Sequence, residues 1–222
     1  MNGSLWLLFV IILISTYCVC AIRLTKTRRR SSTCRLAVFL GSGGHTSEIL
    51  SLISTLDFSR YTPRIYIISE GDVLSLKKAE ELELRKTGIQ KTSDLHPACD
   101  FLTIPRARRV HQPLLTTPPT VFWSLLAALY HVTYLPLRTS RKFADVLVLN
   151  GPGTCLVLCI AAYVNRIFGI PSPKLIYVES FARVKSLSLS GKLLRPFVDR
   201  FIVQWPEALS SGRKGECRGW LV

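Results

Sequence analysis

The chain is predicted to be an α/β protein: one Rossmann-like domain with a doubly wound parallel sheet, preceded by a transmembrane helix. Three observations carry this prediction. Short apolar runs alternate with runs long enough for helices, which favours parallel strands joined by right-handed crossovers. A glycine-rich turn follows an apolar run twice, at residues 41–45 and at residues 151–154. An uncharged apolar segment also occupies residues 5–22.

Each element of the domain is predicted from apolar patterning and from its end signals. The first helix carries an apolar stripe from Ile49 to Leu56, and Asp72 is a suitable N-cap for a charged helix over residues 73–86. Further helices are predicted over residues 155–168 and 187–197, and strands over residues 36–40, 65–69, 101–104, 145–150, 174–178 and 201–204. The domain is predicted to span residues 35–206, with residues 207–222 as a C-terminal tail.

The N-terminal segment is predicted to be a single-pass membrane anchor. At about 1.5 Å rise per residue, residues 5–22 are just long enough for a hydrocarbon core of about 30 Å. Six basic residues and no acidic residue follow in residues 23–35, which places residues 1–4 in the lumen and the domain in the cytosol. No basic residue precedes the segment, which disfavours a cleaved signal peptide, although small residues near Cys20 keep that alternative open.

The composition predicts an anionic partner. The formal net charge is +15 and the mean hydropathy is +0.29, so acidic lipid, a phosphorylated substrate and nucleic acid are the classes to weigh. The basic linker at residues 23–34 carries no interleaved aromatic residue, which favours membrane lipids over nucleic acid. The seven cysteines form no paired C-x-x-C spacing, so no metal site is predicted.

A second apolar stretch lies at residues 118–137 and could be a second membrane span. Prolines at both of its ends and the polar residues Ser124, His131 and Thr133 favour a buried crossover helix or a helix resting on the membrane instead. His131 in such a setting is predicted to be a core residue rather than a catalytic one.

The turn at residues 41–45 is the first candidate site. Glycines let the backbone approach a ligand closely, and the start of the following helix favours an anion such as a phosphate or diphosphate. The turn matches neither a dinucleotide fingerprint nor a P-loop, so a turn with glycines for packing alone is the alternative. His45 favours a functional turn because an imidazole at this place can act as acid or base. The predicted anion-binding residues are Gly41, Ser42, Gly43, Gly44 and Thr46.

Other candidate residues also follow predicted strands. Arg106 and Arg109 come after the third strand, where they could clamp phosphate or form a solvated basic loop. Glu179 follows the fifth strand. Because the carboxyl ends of parallel strands meet at one edge, these residues are predicted to form a single site with the first turn. The second glycine turn contributes Asn150, Gly151, Gly153 and Thr154 to the predicted set.

The last residues of the chain are predicted to contact a partner protein. Trp220, Leu221 and Val222 would be costly to leave in water, so docking onto a partner and packing back onto the same domain are the two alternatives.

Several of these motifs together carry a resemblance to a known family. Residues 41–50 (GSGGHTSEIL), 149–155 (LNGPGTC), 177–180 (YVES) and 201–206 (FIVQWP) occur in the order and register of that family. The chain resembles the membrane-anchor subunits of the UDP-N-acetylglucosamine transferase that adds the second GlcNAc to dolichol-linked oligosaccharide. The likeness covers about residues 35–206 and leaves residues 70–100 and 207–217 without a matching motif.

The resemblance implies a fold, a partner and a substrate. The family is similar to the acceptor-binding half of a GT-B glycosyltransferase, and a separate soluble subunit supplies the donor-binding half at the cytosolic face of the endoplasmic reticulum. It implies UDP-GlcNAc as donor, GlcNAc-diphosphodolichol as acceptor, and an inverting transfer that needs no metal or cofactor. By its position, His45 is the candidate general base for such a transfer, with Glu179 as its rival or as a residue that orients the sugar.

Two other function classes remain open from the sequence. The chain could be a pure membrane scaffold whose partner supplies all site residues. It could also be a membrane-anchored nucleotide- or nucleic-acid-binding Rossmann protein that uses its basic surface. The second class explains neither the anchor nor the two converging glycine turns.

Overall fold

Seven parallel strands form one sheet with the order β3-β2-β1-β4-β5-β6-β7, which confirms the predicted α/β fold class. The computed structural model describes residues 32–88, 98–108, 112–113, 116–151, 153–209 and 215–221. The predicted anchor, most of the basic linker, Arg109 and Val222 lie outside these residues. The strands are β1 (Leu36–Leu40), β2 (Arg64–Ser69), β3 (Cys99–Ile104), β4 (Val146–Leu149), β5 (Lys174–Val178), β6 (Arg200–Val203) and β7 (Glu216–Cys217).

The direction of winding reverses between β1 and β4. β1 pairs with β2 on one side, and on the other side Leu36, Ala37 and Val38 pair with Val146, Leu147 and Val148 of β4. The chain therefore builds outward from β1 to β3 and then returns to the centre of the sheet for β4. Such a reversal leaves a crevice at the carboxyl ends of the two central strands.

Helices cover both faces of the sheet. Successive side chains of β1 point to opposite faces of the sheet. Phe39 belongs to the core beneath α3 and α5, whereas Val38 belongs to the core beneath α1 and α2. The helix predicted over residues 187–197 is shorter in the structure, since Ser188 caps it and Pro196 disfavours its continuation. The helices are α1 (Gly44–Ser54), α2 (Val73–Thr87), α3 (Thr117–Leu129), α4 (Leu135–Thr139), α5 (Thr154–Ile167) and α6 (Leu189–Leu194).

The second apolar stretch is a crossover helix with an exposed outer face. α3 continues through a π-helical segment, Tyr130–Tyr134, into α4, so Thr117–Thr139 is one helical stretch of 23 residues. Within the described part of the chain it is the one helix with the length and apolar composition to cross a membrane. Within it, only Ser124, Ala128 and Val132 are buried. The prediction of a buried crossover helix therefore holds only for the inner face of this stretch, where Ser124 Oγ donates to Pro105 O.

The seventh strand was not predicted from the sequence. β7 contains two residues, Glu216 and Cys217, and pairs in parallel with Ile202 and Val203 of β6. Two residues without an apolar run give no periodicity to detect. The tail then places Leu221 against the core beneath α1 and α2, so the sheet and its core extend past residue 206.

A buried ion pair joins α2 to β2. The Arg64 guanidinium donates to both carboxylate oxygens of Glu83, at 2.6 and 2.8 Å, and neither side chain is more than 1% exposed. Tyr66 Oη also donates to Glu83 Oε1 at 2.7 Å, and burial raises the pKa of that phenol, so it stays protonated. Removal of one partner would leave a buried charge without compensation.

We expect Glu83→Gln to lower the free energy of unfolding by about 3–5 kcal/mol, because the buried Arg64 then lacks a counter-charge. The measurement is urea unfolding of the full chain in detergent micelles, followed by tryptophan fluorescence. Glu81→Gln is the matched control because Glu81 lies on the same helix and is exposed. A loss of less than about 1 kcal/mol would mean that the Arg64–Glu83 pair contributes no more to stability than a surface ion pair does.

Candidate functional site

The predicted site residues meet at the carboxyl edge of the two central strands. α1 begins directly after the turn that follows β1, and α5 begins after the turn that follows β4. Because these strands are neighbours in the sheet, the two turns are in contact: His45 of the first lies against Asn150 and Gly151 of the second. The structure thus brings together residues more than 100 positions apart.

His45 and Asn150 form the closest polar contact between the two turns. His45 Nδ1 and Asn150 Oδ1 are 2.8 Å apart, the histidine is half-buried, and Asn150 is only 1% exposed. Asn150 Nδ2 donates to Glu48 Oε2 at 3.1 Å. Asn150 was predicted to bind a diphosphate, but its side chain is directed to His45 and Glu48 in the structure.

Gly151 lets the imidazole lie against the second turn. Its φ of +111° is a conformation that residues with a side chain rarely adopt. A Cβ atom at this position would lie 3.1 Å from His45 Cγ and 3.3 Å from His45 Cδ2. The absence of a side chain at Gly151 therefore allows the His45 ring to approach the second turn closely. Gly43, with φ of +65°, is exposed at the other turn and directly precedes the first residue of α1.

The starts of α1 and α5 carry no side-chain cap. Asp72 accepts from Ser75 N at the start of α2, and Ser188 accepts from Gly191 N at the start of α6. In contrast, no described side chain accepts from the first turn of α1, which begins after Gly43, or of α5, which begins after Gly153. The first N–H groups of a helix have no partner within the helix. These two starts can therefore donate to an anion at the strand ends.

Two threonines of the predicted set are used inside the protein. Thr46 Oγ1 lies 2.7 Å from Ser75 Oγ, and the residue is 1% exposed, so its hydroxyl joins α1 to α2. Thr154 Oγ1 accepts from Ala107 N at 3.3 Å, which ties the start of α5 to the segment after β3. Both hydroxyls are thus engaged within the protein, and both residues are buried.

Arg106 lies at the same edge but faces an acidic neighbour. Its Nε donates to Glu70 O at 3.2 Å, and its terminal Nη2 lies 3.9 Å from Asp72 Oδ2. The Arg106 side chain is 28% exposed, so it is partly open to solvent. The structure places Arg106 where it was predicted, held by the segment that follows β2.

Glu179 is buried and orders the segment that follows β5. Its Oε2 accepts from both the backbone N and Oγ of Ser188 at 3.1 Å, and its Oε1 accepts from Ser180 N at 3.2 Å. Gly191 provides the space, since a Cβ there would lie 2.1 Å from Glu179 Oε2. These contacts favour a positioning role over that of a base.

Glu48 and Ser180 join the site without having been predicted. Glu48 Oε1 accepts from Ser180 Oγ at 2.8 Å, and Glu48 Oε2 accepts from Asn150. One signal was present in the sequence, because a residue three positions after His45 lies on the same face of a helix. Ser180 had no such signal, since its contact depends on the adjacency of distant strand ends.

The C-terminal tail lies partly on its own domain. Leu221 N donates to Gln204 Oε1 at 3.1 Å, and Leu221 packs into the core beneath α1 and α2. Trp220 stays 72% exposed, although its ring contacts those of Phe181 and Trp205 at centroid distances of 6.0 and 5.6 Å. The two alternatives for the tail thus apply to different residues: Leu221 packs back, and Trp220 stays exposed.

Comparison with protein families identifies the chain. A family model described as "Oligosaccharide biosynthesis protein Alg14 like" matches residues 36–221. The chain belongs to the Alg14 family. The match includes both glycine turns, the segment after β5 and the tail through Leu221, so the Alg14 signature covers the whole candidate site.

Curated Alg14 relatives resemble the chain over most of their length. The UDP-N-acetylglucosamine transferase subunit ALG14 of Cryptococcus neoformans is 49% identical over 214 residues, which cover 90% of this chain and 91% of that protein. The subunit of the same name in Schizosaccharomyces pombe is 44% identical over 83% of this chain and 81% of its own length. The Mus musculus subunit is 41% identical over 85% of this chain and 83% of its own length.

A solved structure supports the fold. The crystal structure of Acinetobacter baumannii MurG superposes with a TM-score of 0.52 at 12% identity. The superposition covers 84% of this chain but 46% of the MurG chain. The Alg14 chain therefore has the fold of about half of MurG, in agreement with the predicted GT-B half domain.

We expect the Cys155 and Cys159 thiols in α5 to resist alkylation although they follow the glycine turn. Burial disfavours the thiolate: it raises the pKa of Cys159 to about 11 and also holds the pKa of Cys155 well above its ordinary value. At pH 8, iodoacetamide should modify the exposed Cys217 in the folded chain and leave both α5 thiols unmodified, as read by peptide mass spectrometry. Urea should make all of them reactive. Modification of folded Cys155 would instead reveal a reactive thiol at the site.

Proposed function

We propose that this protein is the membrane-bound, acceptor-binding subunit of a transferase that moves GlcNAc from UDP-GlcNAc to GlcNAc-diphosphodolichol. Membership in the Alg14 family supports the role of a UDP-GlcNAc transferase subunit. The observation that carries the acceptor-binding role is the open edge where two uncapped helix starts flank His45. The acceptor and the step in the pathway rest on the family resemblance.

The two uncapped helix starts would bind the acceptor diphosphate. The backbone N–H groups at the starts of α1 and α5 supply donors, and their helix dipoles favour negative charge. Arg106 adds a cation at the same edge, and Asp72 holds it in place. Arg109 remains a second predicted cation for this ligand. An ionised diphosphate matches this set of donors and needs no metal to be bound.

His45 would be the general base. The oxygen of the acceptor 4-hydroxyl attacks C1 of the donor GlcNAc while the bond between C1 and the UDP oxygen breaks. The hydroxyl proton passes to His45, and UDP leaves with the electron pair of the broken bond. A positioned general base contributes about 10²- to 10⁴-fold to the rate of such a step.

A second protein would complete the enzyme. The described residues form one sheet at whose open edge the site lies, and the relatives are named as subunits. We place the donor UDP-GlcNAc on a soluble partner subunit that closes over this edge. The exposed Trp220 ring beside Trp205 and Phe181 is the surface on which we expect the partner to dock, since buried aromatic residues often dominate protein interfaces.

The exposed face of α3 would rest on the membrane. Along α3 and the π-helical segment that continues it, four side chains that are more than a third exposed follow one another at intervals of three or four residues: Trp123, Leu126, Tyr130 and Tyr134. Aromatic side chains at such a face suit the lipid headgroup region. With the predicted anchor, this contact would place the domain on the cytosolic face of the endoplasmic reticulum, and also of the nuclear envelope that is continuous with it.

We expect His45→Ala to lower turnover by about 10²-fold or more, because the acceptor hydroxyl loses its base. The assay is GlcNAc transfer to a lipid-diphosphate acceptor by the full chain co-expressed with its soluble partner. His131→Gln is the matched control, since His131 lies on the helix that follows β3 and outside the site. Co-purification of the partner checks assembly. Near-normal turnover by an assembled His45→Ala complex would favour the pure-scaffold class.

We expect Trp123→Phe to remove more lipid contact than Trp220→Phe, because Trp123 lies on the exposed face of α3. The measurement is quenching of tryptophan fluorescence by brominated phospholipids, with the full chain in vesicles. The predicted anchor contributes Trp6 equally to both variants. Equal loss of quenching in the two variants would contradict the prediction that α3 contacts the membrane.

A further inference from the structure

We infer that Glu48, acting through Asn150, is a positioning residue that fixes the tautomer of His45. This inference rests on the proposed function in one respect: it assigns the second imidazole nitrogen, Nε2, to accept the proton during transfer. The tautomer itself follows from the hydrogen bonds of the described residues. Neither Glu48 nor Ser180 has a role in the site described so far beyond the contacts already given.

Four side chains form one line of hydrogen bonds across three strand ends. Ser180 Oγ donates to Glu48 Oε1 at 2.8 Å, and Asn150 Nδ2 donates to Glu48 Oε2 at 3.1 Å. Asn150 Oδ1 then faces His45 Nδ1 at 2.8 Å. Asn150 and Ser180 are both buried, so water does not readily replace these partners.

The direction of every bond in this line follows from Glu48. An ionised carboxylate can only accept, so Asn150 must direct its NH₂ group toward Glu48 and its carbonyl oxygen toward His45. The carbonyl oxygen can also only accept, so His45 Nδ1 must donate. A neutral imidazole carries one N–H group. The remaining nitrogen, Nε2, therefore has a free lone pair and can take a proton.

Ser180 and Gly151 hold this arrangement in place. Ser180 Oγ accepts from Ala182 N at 3.3 Å, which leaves the serine proton for Glu48. Gly151 lies against the imidazole at its Cγ and Cδ2 atoms, so the ring is confined between the two turns. The ring cannot rotate freely to exchange its two nitrogens without losing the bond to Asn150.

The consequence for transfer is that Nε2 is the atom that receives the acceptor proton. The imidazolium formed in that step keeps its Nδ1–H donation to Asn150, and the Glu48 charge lies next along the same line of bonds. In a serine protease triad, the wrong imidazole tautomer lowers kcat by about 10⁴-fold, which shows how strongly such a device can act. Here the group that fixes the tautomer is the Glu48 carboxylate, which acts on the imidazole through the Asn150 side chain.

The test reads the tautomer directly. The full chain, labelled with ¹⁵N-histidine and held in detergent micelles without its partner, gives separate imidazole resonances for its four histidines. His45→Gln assigns the resonances of His45. We expect a proton on Nδ1 and none on Nε2 in the unaltered protein at a pH where the ring is neutral. A proton on Nε2 would overturn the inference.

Two variants of Glu48 test its part in the device. Glu48→Gln can present either an oxygen or an NH₂ group to Asn150, and Glu48→Met presents only a weak thioether acceptor. Both should release Asn150 and give a mixture of the two His45 tautomers. The same single tautomer in both variants would overturn the role of Glu48. Glu81→Gln, an exposed change on α2, is the control and should leave the His45 resonances unchanged.

Turnover separates this inference from the proposed function. In the assembled transferase, both Glu48 variants should lower kcat by about 10-fold or more while KM for the acceptor stays within about 3-fold, since a base is misdirected but binding is kept. Failure of the tautomer measurement overturns the inference alone. Normal turnover of His45→Ala overturns the base role alone and leaves the measured tautomer standing.

Discussion

The parallel pairing of β1 with β4 is the constraint on which the rest of this structure depends. It joins two segments that are far apart in sequence at the centre of one sheet, and it brings the turns after both strands to the same edge. Nothing local to either turn would create the contact between His45 and Asn150. A shift of this pairing by one residue would move every side chain of β4 to the opposite face and separate the two groups.

The two faces of the sheet differ in how their helices are held and in what those helices expose. On one face, polar groups hold the helices: the buried pair of Arg64 with Glu83 ties α2 to β2, and the contact of Thr46 with Ser75 ties α1 to α2. On the other face, α3 has an apolar outer surface that the described domain leaves uncovered. The strand ends lie between these faces, so under the proposed function a lipid-linked acceptor would reach the site from the side of α3.

Much of this architecture can be predicted from the sequence, and the exceptions have physical reasons. Six strands follow from apolar runs because a parallel strand buried on both faces is apolar along its length. The short strand at Glu216 has no such run and depends on the edge of β6. At the site, His45 and Gly151 follow from the turn chemistry, but the line through Glu48 and Ser180 depends on which strands are neighbours. The direction of each side chain is likewise a tertiary property: Thr46 turns to α2, and Glu179 turns to its own loop.

Gly151 has a consequence for inherited variation. Every missense change at a glycine codon adds a Cβ atom, and at position 151 that atom meets both an unfavourable backbone conformation and the His45 ring. Alleles at this codon should therefore form a single severe class, whatever the size or charge of the new residue. At Gly44, one residue before the histidine, an added Cβ meets nothing within 4 Å. Alleles there should instead be graded by the bulk of the side chain, so two glycine codons of one site would have different genetic profiles.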